Sequence, residues 1–256
     1  AQIGCDIQFL NIENIHAIDS FIQMVYAYRE GPDYVSRMVR YDKKVNLIDS
    51  MELIRGPFLF SPGEMRSVLS DDMSKLALFT IDKARLFAVV VDTRKMEILT
   101  AGDIEVPDYR LYDQFQEAGV SNLGQLFFLF EKNNESWDKE KHMMRLVMSE
   151  LGQTYLHDLT CINTVNSGVK MAIDNVNQRL TIAGLYGSKS QNETEGYMVF
   201  SAAIANLRQP SLHDIQTFPY DENILVDLNG VEKKSKKNLL FDFYIKTLVH
   251  RADGGF

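Results

Sequence analysis

Cysteine, tryptophan and proline are scarce: two, one and six residues in a chain of 256. Cys5 and Cys161 have no CxxC spacing and cannot build a metal site by themselves. They either pair or serve as small buried hydrophobes, the second being the default. No apolar run approaches the roughly 20 residues that a membrane-spanning helix needs. The opening segment AQIGCDIQFL lacks a basic stretch followed by an apolar core, so no signal peptide is expected there. Positive charge is also short, with 27 Lys and Arg against 35 Asp and Glu and a net charge of −8. That balance argues against nucleic-acid binding through bulk electrostatics, which relies on basic patches releasing counterions. The densest basic cluster, Lys233, Lys234, Lys236 and Lys237, reads as a solvated turn between strands or a local patch. A Gly-rich phosphate loop, HExxH, GxSxG and paired CxxC are all missing. The five histidines are scattered without a recognisable carboxylate partner, and no metal or cofactor is expected.

What remains is the composition of an ordinary globular protein, 45% hydrophobic and 24% charged. The length suits a single domain, residues 1–256, with a sizeable core. Two sequons, at Asn134 and Asn192, fit a secreted or vacuolar chain, with a cytoplasmic location as the alternative. After a short strand at 5–10, residues 11–29 place Ile15, Ile18, Phe21, Ile22 and Val25 on one helical face. Runs at 75–81, 85–91 and 96–101, separated by short polar breaks, predict an antiparallel meander. From about residue 110 the periodicity turns helical, at 123–130, 138–157 and 169–182. The stretch 197–209, YMVFSAAIANLRQ, carries Tyr197, Phe200, Ile204 and Leu207 at helical spacing and small residues for close packing. It predicts a central helix ending in Arg208, which either faces a pocket or satisfies carbonyls at the helix end. A strand pair near 224–228 and 239–243 and a last helix at 244–250 follow, and no internal repeat is evident. The expected fold is α+β: a largely antiparallel N-terminal sheet with a helix over 1–105, then a mainly helical part over 106–256.

The segment FLNIENIH is locally similar to myotubularin-type phosphoinositide phosphatases. Their nucleophilic Cys needs an Arg six residues on, and here Cys5 is followed by Asn11 and Cys161 by Ser167. A longer resemblance joins IQFLNIENIHAIDSFIQMVYAYR, the meander LALFTIDKARLFAVVVDTRKMEILTAG and a central helix ending in Leu207-Arg208. In this order of elements the chain resembles the ribosome-inactivating proteins, the rRNA N-glycosidases related to ricin A chain. The resemblance implies a purine stacked between two tyrosines, a glutamate stabilising an oxocarbenium-like state, and an arginine three residues on. Carried over, the arginine falls on Arg208 and the glutamate on Ala205. The stacking positions fall near Glu97 and Trp137, and the supporting tryptophan falls near Tyr244. Without the carboxylate, glycosidase activity is expected to be lost or much reduced. Glu193, Glu195 and Glu97 are candidate substitutes for it.

The leading expectation is therefore a chain of ribosome-inactivating-protein type with weakened activity, retaining a defence-related role or the binding of a nucleobase or ribosomal RNA. The alternative is a non-enzymatic protein that binds a protein partner or serves a structural role. An enzyme of unrecognised type is the third reading.

Overall fold

The computed structural model describes residues 10–57, 65–81, 85–132, 142–161, 165–187, 193–209, 211–221, 240–241 and 245–250. Cys5, Asn134 and Asn192, the Lys233–237 cluster and the strand expected at 224–228 lie outside them. Among the described residues the chain is almost entirely β-strand, with one four-residue α-helix, α1 (Leu111–Gln114), and a 3-10 turn at Ile204–Arg208. The strands form successive antiparallel meanders. The first contains β1 (Leu10–Ile18), β2 (Phe21–Glu30), β3 (Asp33–Tyr41) and β4 (Leu47–Pro57), in that order. The second contains β5 (Met65–Leu69), β6 (Lys75–Ile81), β7 (Leu86–Asp92) and β8 (Glu97–Ile104).

The third contains β9 (Phe115–Val120), β10 (Leu126–Glu131), β11 (His142–Glu150) and β12 (Gln153–Cys161). The fourth is built on β13 (Val165–Asp174), β14 (Arg179–Gly187) and β16 (Gly196–Ala203), with β15 (Glu193–Thr194) between the last two in the chain. β17 (Ser211–Asp214) then joins the third sheet, parallel to β12, and β18 (Gln216–Pro219) closes the fourth, antiparallel to β16. β19 (Leu240–Phe241) pairs with β15.

The chain divides into two compact units. One holds Ala1–Tyr112, Val120–Leu126 and Ser149–Gln153, and the other holds Asp113–Gly119, Phe127–Met148 and Thr154–Phe256. In the first, Val25, Ala27 and Met38 pack with Leu76, Leu78, Val89 and Val91 in one apolar core. In the second, Phe127, Leu129, Met144, Leu146, Leu180, Met198 and Phe200 belong to another.

This architecture corrects the α+β expectation. The meander expected over 75–101 is present as β6, β7 and β8. Residues 11–29, expected as a helix, are the β1–β2 hairpin, which turns at Asp19-Ser20 with Asp19 at φ 52°. The stretch expected as a helix over 138–157 contributes β11 and the start of β12, joined by Leu151-Gly152, both at positive φ (50° and 81°). Positive φ at both central positions fits one of the two turn types favoured in tight two-residue hairpins. Residues 169–182 belong to the β13–β14 hairpin, and 123–130 lead into β10. The expected central helix is β16 followed by the 3-10 turn. Met198 and Phe200 are buried while Tyr197 and Ser201 are exposed, a period of two where Tyr197, Phe200, Ile204 and Leu207 suggest 3.6. Within the expected last helix, residues 245–250 are irregular.

Two turn designs recur along the chain. At the β3–β4 turn the Asp42 carboxylate accepts the backbone N–H groups of Lys44 and Asn46, at 2.8 Å each. At the β9–β10 turn the Ser121 hydroxyl does the same for Leu123 (3.2 Å) and Gln125 (3.1 Å). The fourth residue of each turn is left-handed, Val45 at φ 62° and Gly124 at φ 90°. In the second design Asp92 accepts from Arg94 and Lys95, and Asp174 accepts from Val176 and Asn177. There the fifth residue is left-handed, Met96 at φ 56° and Gln178 at φ 51°. Side chains that mimic a backbone acceptor hold turns in this way.

Candidate functional site

Directly opposed residues of an antiparallel sheet share a face. On the first sheet one face carries Val25, Ala27, Tyr34 and Met38, all in the first unit's core. The other face carries three cross-strand rows. Ala17, Ile22, Tyr41 and Leu47 form one, Ile15, Met24, Val39 and Ser50 the next, and Ile12, Tyr26, Arg37 and Glu52 the third. On this face Ile12 is 50% exposed, Ile15 60%, Ile22 37% and Leu47 59%. Large aliphatic residues clustered in solvent are informative in a way that a single exposed leucine is not.

The same face changes character toward its other end. There Arg55 meets Glu52 at 2.6 Å, Glu30 at 2.8 Å and Asp33 at 3.6 Å, and Arg37 lies 4.0 Å from Glu52. Hydrogen bonding to Arg55 holds the Glu52 carboxyl below its usual range, and the same bond raises Arg55. These pairs stand in solvent, so they contribute little to stability. Their geometric effect is a charged border beside the apolar rows. Between the two, Tyr26 stacks on Tyr28 with ring centroids 5.7 Å apart. Burial raises the Tyr26 hydroxyl pKa, and Arg37 partly opposes that shift.

The residues singled out from sequence fall in both units. Glu97 is exposed at the start of β8, opposite Asp92 in register, and lies in the first unit. Ala205 and Arg208 are exposed in the 3-10 turn of the second unit, and Glu195 is half-buried there. Trp137 and Tyr244 lie outside the described residues. The long helix expected to carry them is absent: Ala202 and Ala203 end a strand, and Ala205 and Arg208 lie in the five-residue 3-10 turn Ile204–Arg208. Among the described residues no group of three or more His, Cys, Asp or Glu side chains is arranged to hold a metal ion. No described helix is long and apolar enough to cross a membrane. Periodicity alone hides the exposed rows, because Ile15 and Ile22 also fit one helical face. The signal that reveals them is alternation on either side of the Asp19-Ser20 turn.

No family model matches the chain, and no curated protein does. Among solved structures it is similar to the β-propeller domain of the Trilobed protease from Pyrococcus furiosus, with 8% identity and a TM-score of 0.42 over 85% of this chain and 59% of that one. It is similar also to the Dos1 propeller, with 11% identity and a TM-score of 0.42 over 82% of this chain and 48% of the other. A third is Kuenenia stuttgartiensis hydrazine synthase, at 10% identity and a TM-score of 0.33 over 65% of this chain and 61% of that one. The chain thus spans about half to three fifths of these solved chains. Likeness this loose carries neither a fold assignment nor an activity. The correction to the ribosome-inactivating resemblance comes from the chain's own strands: among the described residues, the helical half and central helix that the resemblance requires are almost entirely β-strand. The glycosidase reading, active or degenerate, falls with them.

Proposed function

We propose that the chain is a non-enzymatic scaffold of successive antiparallel meanders that binds a protein partner through the partly exposed face of its first sheet. The observation that carries this reading is the set of cross-strand rows with Ile12, Ile15, Ile22 and Leu47 in solvent. An apolar centre with a charged border is the usual anatomy of a protein-binding patch, and Arg37, Glu52, Arg55, Glu30 and Asp33 supply that border. Succession of four-stranded meanders is also how propeller blades are built.

The test is cross-linking on wild-type protein and on an Ile15→Asp, Ile22→Asp double variant whose thermal unfolding is first shown to match. Loss of the same cross-linked protein species in the variant supports the assignment. Capture that is indifferent to both substitutions overturns it. Residence in the secretory pathway belongs to the same proposal and is checked separately, by a mass shift on deglycosylation at Asn134 or Asn192.

A further inference from the structure

A second, polar row runs across the core-facing side of the first sheet: His16, Gln23, Arg40 and Asp49, opposed in register. Gln23 is buried, 1% exposed, and its amide nitrogen donates to the Thr93 carbonyl in the β7–β8 turn at 2.5 Å. Arg40 donates to the same carbonyl and to the Arg94 carbonyl at 2.8 Å. The first sheet is thereby tied to the turn between β7 and β8. His16 completes the row, with Nε2 3.0 Å from Gln23 Oε1 and Nδ1 2.9 Å from Asn14 Oδ1. Asn14 Nδ2 in turn lies 2.8 Å from the Ser67 hydroxyl on β5.

Donor and acceptor bookkeeping fixes most of this network. A carbonyl can only accept, so Gln23 must present its nitrogen to Thr93 and its oxygen to His16. Nε2 of His16 therefore carries hydrogen in every state. The opposite side is different, because a hydroxyl both donates and accepts, and Ser67 leaves either orientation of the Asn14 amide satisfied. With Asn14 Oδ1 toward Nδ1, as in the structure, the ring carries hydrogen on both nitrogens and is an imidazolium. With the amide turned over, Nδ2 donates to a bare Nδ1, Ser67 donates to Oδ1, and the ring is neutral. Both arrangements leave every group of the trio hydrogen-bonded.

We propose that His16, Asn14 and Ser67 form a proton-driven two-state switch where β1 meets β5, in which gain of one proton at His16 Nδ1 turns the Asn14 amide over and reverses the Ser67 hydroxyl. The charged groups on the surrounding elements are Glu13 on β1, Arg40 and Asp49 within the row, Arg66 on β5, and Asp92 and Arg94 at the β7–β8 turn. Burial disfavours the charged ring and lowers the His16 pKa, an effect that its bond to Gln23 partly opposes. The neutral arrangement therefore prevails at pH 7, and the switch operates on the acidic side of the ordinary value of 6.5. Because both states leave the half-buried trio hydrogen-bonded, protonation changes the junction without unfolding it.

Nitrogen-resolved NMR of histidine-labelled protein from pH 8 to pH 5 tests this directly. At pH 8 the His16 ring should carry its hydrogen on Nε2, with conversion to imidazolium at a midpoint below 6.5 and the Asn14 side-chain amide signals shifting at the same midpoint. In Asn14→Asp a carboxylate can only accept, so the midpoint should rise by about one unit or more. A hydrogen on Nδ1 at pH 8, an Asn14 amide that ignores the His16 titration, or an Asn14→Asp midpoint equal to the wild type's each overturns the proposal. The wild-type measurement stands even where the variant folds poorly.

Discussion

In β10 all six residues, Leu126 to Glu131, are buried, and Phe127, Phe128 and Phe130 are entirely without exposed surface. In the β1–β2 hairpin Ile12, Ile15 and Ile22 stand half or more than a third in solvent, although these strands are apolar too. The contrast lies in what each strand has on its two sides. β10 sits inside its sheet, between β9 and β11, with both faces covered. The first sheet buries one face in a core, and on the other Tyr26, Val35 and Val39 are buried while Ile12, Ile15, Ile22 and Leu47 are exposed. Similar hydrophobic content therefore contributes stability in one place and a surface in the other.

The sharpest way to stress that contrast is truncation inside β10. Phe128→Ala removes a side chain that lies 6.4 Å from the Phe130 ring, and should cost about 3–5 kcal/mol in urea unfolding. A loss below 1 kcal/mol would mean that β10 is not the interior strand described. Next is Gly196→Ala, where an added Cβ would overlap the Phe218 carbonyl oxygen and meet the Pro219 Cα at 2.8 Å. Backbone atoms cannot step aside cheaply, so about 1–3 kcal/mol or more should be lost, with the β16–β18 pairing melting first in hydrogen exchange.

A turn residue falls between core and surface. Backbone and side-chain hydrogen bonds from Asn177 hold the Asp174 carboxyl below its ordinary value of 3.8. A carboxyl depressed in the folded state stabilises the protein above that value and loses the contribution as pH falls through the folded pKa. Thermal melts should show wild type more stable than Asp174→Ala at pH 6 and the gap closing toward pH 2; a constant gap would count against the turn assignment. The smallest effect belongs to the open face. Ile15→Ser should change stability by no more than about 0.5 kcal/mol, and a loss near that of Phe128→Ala would show the face to be covered.

The β6–β8 meander was legible because Lys75–Ile81 and Leu86–Asp92 are nearly continuous apolar strands bounded by polar turns. The hairpins were not, since Ile15, Ile18, Ile22 and Val25 fit a helical stripe as readily as two short alternating strands. What separates the readings is the turn, and Asp19-Ser20 or Leu151-Gly152 is weak punctuation by composition. The Asp92 and Asp174 turns share a spacing rather than a motif: an acid, three variable residues, then a left-handed residue. Met96 and Gln178 occupy that last place instead of glycine, which hides the repeat. The catalytic positions suggested by the resemblance had no independent support, because one apolar period stood in for an entire helix. The exposed face was out of reach without register: only the pairing of Ile22 with Tyr41, and of Tyr41 with Leu47, brings distant residues into one row.

The stretch 211–219 belongs to two sheets in turn, β17 to the third and β18 to the fourth. Most other pairings join strands that are neighbours in the chain and can zip up locally soon after synthesis. β17 must find β12 across the whole fourth meander, and lie parallel to it. Closing so long a loop delays the event that rewards it. Maturation of this half of the molecule thus waits on one short strand, and until it docks, the free edge of β12 is open to the wrong chain.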